Sequence, residues 1–349
     1  MNNNQQNLPA PTVPGVCLVV IYNHNYEKNI PKIERLYEGK FQEIYHLMPF
    51  YQGDDPRVIG VYDSSHQFNN YITQAYDRLT AKNFTHYVFV ADDMIIRQDL
   101  NENNILEQLK LGKNSAFIPF IKIIDNESFF TWAWSLKQVG KLNYPTPACE
   151  FRKFIPDLEA ARKRLEQHGI DWRQGYTRSV LPYALRGCVS PFPMELIRSY
   201  FYSTLLFLRF QITRGLHALA GSKLSWNKFI ALNARRIGKR HEEPEYPLLW
   251  SYTDLFVLPA SRFKAFCHIS GLLASGRVMV EAAIPTAMAF TMDHIVQDDD
   301  IGALDGRMEG SPQEIHERNQ GSIASLIKNW REGVLFYHPI KLSQWKFDL

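Results

Sequence analysis

Apolar and polar positions follow two different rhythms along the first third of the chain. Val16 to Tyr22 (VCLVVIY) is an unbroken apolar run, as expected of a strand buried on both faces of a sheet. Residues 29–41 then set Ile33, Leu36 and Tyr37 at helical spacing among charges, which predicts a helix. Strand text returns at 43–51 (EIYHLMPFY) and at 57–65 (RVIGVYDSS), and a helix at 68–80 carries Tyr71, Ile72, Ala75 and Leu79 on one side. A fourth strand at 86–93 (HYVFVADD) is followed by a short helix at 104–112, stopped by Gly112, and by a fifth strand at 115–124 (SAFIPFIKII). Strand and helix in turn, at this spacing, predict an α/β fold with a mostly parallel central sheet and helices on both faces.

Beyond residue 126 the text changes. Residues 157–169 (DLEAARKRLEQHG) form a helix ending at Gly169, and an aromatic, helix-rich stretch continues to about residue 240. Strand-like TDLFVLP at 253–259, helix-like stretches at 262–273 and 278–290, and a last strand running into His338 and Pro339 complete the chain. The expected organisation is a polar, aperiodic leader at 1–14, a ligand-binding half at 15–125, and a second half at 126–349 with a helical insertion at about 150–245.

Composition narrows the partners. The chain has 349 residues, 45% of them hydrophobic, enough for one large or two modest domains. Cys17, Cys149, Cys188 and Cys267 show no CxxC spacing, which argues against a zinc site or a disulfide scaffold and fits the cytoplasm. Tyr200 to Phe210 is apolar but too short to span a bilayer. A formal charge of +3 gives no reason to expect a nucleic-acid partner. Basic residues do gather between Lys223 and His241, with Trp226 and Phe229 interleaved; this is either a solvated helix face or a surface for anionic lipid or phosphate at the inner face of the membrane.

Candidate chemistry begins where the fourth strand ends, in Asp92 and Asp93. Two adjacent carboxylates repel each other and resist burial, and magnesium or manganese relieves both problems. Magnesium is typically held by one or two carboxylates, with substrate phosphates completing its shell. Ligands of parallel sheets bind beyond the carboxyl ends of the strands, where these two residues lie.

Three stretches carry a resemblance to a known family: VVIYNHN at the first strand end, GVYDSSHQFNN at the third, and VFVADDMII at the fourth. Together they resemble glycosyltransferases of the GT-A fold, a Rossmann-like architecture with an acidic DxD-type motif and a more variable acceptor-binding half. The motif is a variant, Ala91-Asp92-Asp93, in which the usual first acid is missing. The resemblance implies that residues 15–125 bind a nucleotide sugar and that 126–349 bind the acceptor. It implies that Tyr22 and Asn23 lie along the nucleotide, that Asp63 bonds the base or ribose, and that Asp93 is the principal metal ligand, with Asp92 behind it or on the ribose. GT-A enzymes often add a C-terminal histidine to the metal. His338 in FYHPIK is the candidate, with Lys341 near enough in sequence to meet a diphosphate; a lone histidine in apolar text is otherwise an ordinary core residue.

The acceptor side offers Asp254 and Glu281. Glu281 lies in the middle of the apolar text VMVEAAIPTAM and is either paired, with Arg277 four residues earlier, or lines a pocket as a general base. Asp254 precedes an apolar run and either caps a helix or bonds the donor sugar. Asp298 to Asp300, with Asp305 beyond, reads as an exposed loop and a candidate lid or metal site. Phe129 to Ser135 reads as core, with Trp132 or Trp134 as alternatives for stacking on a sugar.

The expectation is a metal-assisted enzyme that moves a sugar from a nucleotide diphosphate sugar to a glycan or lipid-linked saccharide, with peripheral membrane contact on the acceptor side. Two alternatives stand beside it. A non-catalytic sugar-nucleotide-binding protein would keep the sheet and lose the chemistry, as the alanine at 91 allows. A nucleotidyltransferase of related topology would need a Gly-rich, basic loop after the first strand, which YNHNYEKN does not supply.

Overall fold

The computed structural model describes residues 15–125, 150–175, 193–222, 229, 246–303 and 311–349. The leader at 1–14, the aromatic run at 129–135, Cys149, Cys188, Asp305 and the basic stretch at 223–241 except Phe229 lie outside the described residues.

The strands are β1 (Val16–Ile21), β2 (Ile44–Pro49), β3 (Val58–Val61), β4 (His86–Ala91), β5 (Ile95–Ile96), β6 (Ser115–Phe117), β7 (Lys122–Ile123), β8 (Leu249–Trp250), β9 (Leu255–Pro259), β10 (His294–Val296) and β11 (Phe336–Tyr337). The helices are α1 (Ile30–Tyr37), α2 (Phe68–Gln74), α3 (Tyr76–Leu79), α4 (Ile105–Gln108), α5 (Leu158–Gln167), α6 (Pro193–Leu219), α7 (Ala260–Ser275), α8 (Val280–Thr291), α9 (Asp298–Ile301), α10 (Pro312–Arg318) and α11 (Ile323–Lys328).

Seven strands form one sheet in the order β10-β6-β9-β4-β1-β2-β3. All pairs are parallel except those made by β9, which runs against both β4 and β6. The apolar run of β1 explains its central place. Cys17, Val19 and Ile21 enter the core on one face, packed with α2, α7 and α8; Val16, Leu18, Val20 and Tyr22 enter the other, packed with α1, α10, α11 and the C-terminal segment. Alternation with period two and burial on both sides is what a central parallel strand demands. Strands β9 and β10 of the second half complete the sheet that the first half begins.

Several elements differ from the sequence expectation, each for a local reason. The fifth strand is two short ones, β6 and β7, because Pro119 lies between them and has no N–H to continue a ladder. Its carbonyl instead accepts from Asp298 N at 2.9 Å. The helix at 68–80 breaks into α2 and α3 at Ala75, whose ψ of −3° leaves helical geometry. The helix at 104–112 shrinks to α4, followed by Lys110 at φ 52°. Asp298 to Asp300 lie in the helical turn α9 rather than an irregular loop, capped reciprocally by Gln297 and Asp300. The last strand is only β11, paired antiparallel with β5.

Candidate functional site

Strand β4 carries Asp92 and Asp93 to the carboxyl edge of the sheet, and there the two part company. Asp92 is buried, and its Oδ1 accepts from Asn23 N at 3.2 Å, tying the end of β4 to the end of β1. Burial pushes the Asp92 carboxyl up to about 7; the Asn23 N–H opposes that shift and the Asp93 charge adds to it. The Asp93 side chain is partly exposed, yet its Oδ1 is buried and accepts no hydrogen bond. A buried carboxylate oxygen is costly unless a hydrogen bond or a cation serves it, and the group beside this one is the His338 imidazole.

Two other elements converge on Asp93. The β5–β11 pair sets Tyr337 opposite Ile95, and Ile340 N donates to Asp93 O at 2.5 Å, so the C-terminal segment is fixed across the tip of β4. His338 Nε2 thereby stands 3.3 Å from Asp93 Oδ1 and 3.6 Å from Asp254 Oδ1. Asp254 arrives because β9 is antiparallel: its start meets the end of β4, where Ala91 N donates to Asp254 O at 2.8 Å. Residues 93, 254 and 338, distant in sequence, become neighbours through one reversed strand and one short ribbon.

A cleft of about 270 Å³ opens beside them, lined by Asn23, Tyr26, Asp92, Asp93, Lys341 and Gln344 among others. Lys341 is the one cation among its lining residues, against two carboxyl groups. With Asp92 pushed up by burial, Asp93 and Lys341 are the charges a diphosphate meets here, and a divalent ion beside Asp93 would add the positive charge it needs. A larger cavity of about 590 Å³ lies between α1 and the start of β2, at the opposite end of the strands, where its charged walls already pair through Glu34 and Arg57. Chemistry favours the smaller cleft.

Glu281 sits in the first turn of α8, half-buried, and not in mid-helix as its sequence context suggests. A carboxylate is favourable at a helix N-terminus. Pro285 has no N–H to give the Glu281 carbonyl, and Ser251 N takes that place at 3.0 Å. The bond fixes the segment that leads into Asp254. Arg277, the alternative partner for Glu281, donates to Asp63 Oδ1 at 2.7 Å. Asp63 also accepts from Asn70 Nδ2 and Ser64 N, and these three donors hold its carboxyl below the usual range despite the opposing effect of burial. Asp63 lies two residues past the carboxyl end of β3, outside the set of residues lining the cleft.

Tyr22, expected along the nucleotide, is wholly buried, and its hydroxyl meets His46 Nδ1 at 3.0 Å. His46 Nε2 in turn meets Glu34 Oε1 at 3.1 Å. Burial holds His46 below its ordinary value. This chain of side chains, which ends at Glu34 in the wall of the larger cavity, was not foreseen, because the ring of His46 is hidden in strand text and gives no signal of its own. A second unforeseen feature had a readable signal. Trp250, Tyr252 and Asp254 alternate with period two, so an extended chain puts them on one face. Phe120 lies edge-on to Trp250 at 5.0 Å and to Tyr252 at 5.4 Å, with Lys122 Nζ 5.4 Å from the Phe120 ring centre. Tyr252 of this cluster stands two residues before Asp254.

Among the described residues, no group of three or more His, Cys, Asp and Glu side chains is arranged to hold a metal by itself. The donor set at Asp93 and His338 fits a different arrangement, in which two protein ligands leave the remaining positions to phosphate oxygens. Asp93 Oδ1, which accepts no hydrogen bond and has beside it at 3.3 Å a histidine that carries charge only when protonated, is the observation that favours it. Asp92, buried and bonded to Asn23, is placed as support and not as a ligand. Compared with protein-family models, with curated proteins and with solved structures, the chain finds no match.

Proposed function

We propose that the protein is a metal-assisted glycosyltransferase that moves a sugar from a nucleotide diphosphate sugar to the hydroxyl of a saccharide acceptor. The reading rests on one observation above the others: Asp93, His338 and Asp254 meet at the carboxyl edge of a mostly parallel sheet, next to a cleft that Lys341 enters. In the reaction the bond from the sugar's anomeric carbon to the diphosphate breaks, and a bond from that carbon to the acceptor oxygen forms. The acceptor proton passes to a carboxylate, for which Asp254 is placed beside His338. Lys341 neutralises one charge of the departing diphosphate. A magnesium or manganese ion held by Asp93 and His338 would offset the remainder. Asn23 and Asp92 hold the ends of β1 and β4 together beneath the nucleotide. Phe120, Trp250 and Tyr252 offer apolar ring faces to a sugar on the acceptor side. Glu281 positions the Asp254 segment through its carbonyl and keeps its carboxylate at the start of α8.

The test is nucleotide release from a panel of nucleotide sugars with and without manganese. Release is expected with manganese, and Asp93→Ala is expected to reduce it at least about 100-fold. Thermal stabilisation by the same nucleotide sugars without any turnover would instead support a non-catalytic sugar-nucleotide-binding protein.

A further inference from the structure

Helix α6 has a surface unlike that of a helix packed in a core. Leu205, Leu208, Ile212, Leu216 and Leu219 are between 47% and 88% exposed. At 3.6 residues per turn these five fall within an arc of roughly 80°, a continuous apolar stripe about 20 Å long. Phe210 points elsewhere: it is buried and meets the Phe229 ring at 5.3 Å, so the helix is held from one side and turns the stripe outward. Single exposed leucines need no explanation, but a contiguous stripe does.

Charge says what the stripe meets. Between Leu196 and His241 the sequence has nine lysines and arginines and neither aspartate nor glutamate. With 39 basic and 36 acidic residues in all, the rest of the chain is net negative, so the positive charge is concentrated here. Arg209 lies at the edge of the stripe and is itself exposed. A second copy of the chain brings no acidic residue of this segment to meet Arg209. An anionic bilayer accepts both the apolar residues and the Arg209 cation at their edge. Among the described residues no helix is long and apolar enough to cross a membrane.

We propose that α6 is an in-plane membrane anchor: Leu205, Leu208, Ile212, Leu216 and Leu219 enter the acyl boundary of an anionic bilayer, and Arg209 extends to the headgroups. The inference is independent of the sugar-transfer reading, since it concerns a different surface and needs no nucleotide. The test is sedimentation of the full chain with phosphatidylcholine vesicles, with and without phosphatidylglycerol. The wild-type protein is expected to pellet with the anionic vesicles, less so at high salt, and to stay in solution with the neutral ones. Leu208→Glu/Ile212→Glu should weaken that binding at least tenfold with an unchanged thermal melt. A wild-type chain that ignores anionic vesicles, or a variant that binds as well as wild type, overturns the proposal. So does a wild-type dimer that the variant converts to monomer, which would make a second copy the occupant. Should that variant fail to fold, Arg209→Glu decides: it is expected to lower the preference for anionic vesicles, and an unchanged preference refutes the anchor.

Discussion

Two adjacent aspartates at one strand end do different work because their surroundings differ. Asp92 is enclosed and satisfied by a backbone N–H; Asp93 is reachable and its inner oxygen lacks a donor. The sign of the Asp92 effect follows from its folded value of about 7 against an ordinary 3.8. A folded state that binds the proton more tightly is favoured below pH 3.8, and that advantage is lost as the pH rises through 7. Asp92→Asn keeps an acceptor for Asn23 N and removes the charge. In a chelator-containing buffer it is therefore expected to raise the melting temperature most at pH 8, less at pH 5 and little near pH 4; equal shifts at pH 8 and pH 4 would show that Asp92 is not held protonated. That the pair lies at the carboxyl edge of the sheet was legible from the strand it ends. Its division of labour was not, because it depends on Asn23 from another strand and on His338, about 245 residues further along.

At the scale of elements, the site is assembled by β9 and by the ribbon of β5 and β11. Sequence rhythm revealed β1, β2, β3, β4 and α5, where apolar runs or helical spacing extend over several residues. It did not reveal β10, α10 or α11, which are three to seven residues long, nor the reversal of β9, which no local pattern encodes. Reversal is what brings Asp254 to Ala91 and His338. Pro285 has a comparable role in α8, leaving the Glu281 carbonyl for Ser251 N. Pro285→Ala supplies a competing N–H and a better helix former. The expected result is a higher melting temperature together with slower turnover, since the Asp254 segment loses its tie; a variant both more stable and equally active would remove the tie from the mechanism.

Across the described residues, the buried His46 and His86 and the half-buried His168 tie stability to pH. His46, His86 and His168 are each held below the ordinary 6.5, chiefly by burial. The unfolded chain binds more protons than the folded one from pH 6.5 down to those lower values, so stability falls as the pH drops through that window. Measured in the Asp92→Asn background, which removes the opposing carboxyl, the melting temperature is expected to fall between pH 7 and pH 5. A flat profile would mean that these rings are not kept neutral by the fold. The same scale holds the central claim, that one edge of one sheet gathers residues 23, 93, 254, 338 and 341 into a site for a cation and a diphosphate. The most direct measurement is a crystal soaked with manganese and a nucleoside diphosphate, examined for anomalous scattering. A manganese peak in coordination contact with Asp93 and His338, its remaining positions filled by phosphate oxygens beside Lys341, is the predicted result. Nucleotide bound in the Glu34–Arg57 cavity, or manganese found away from Asp93, would contradict it.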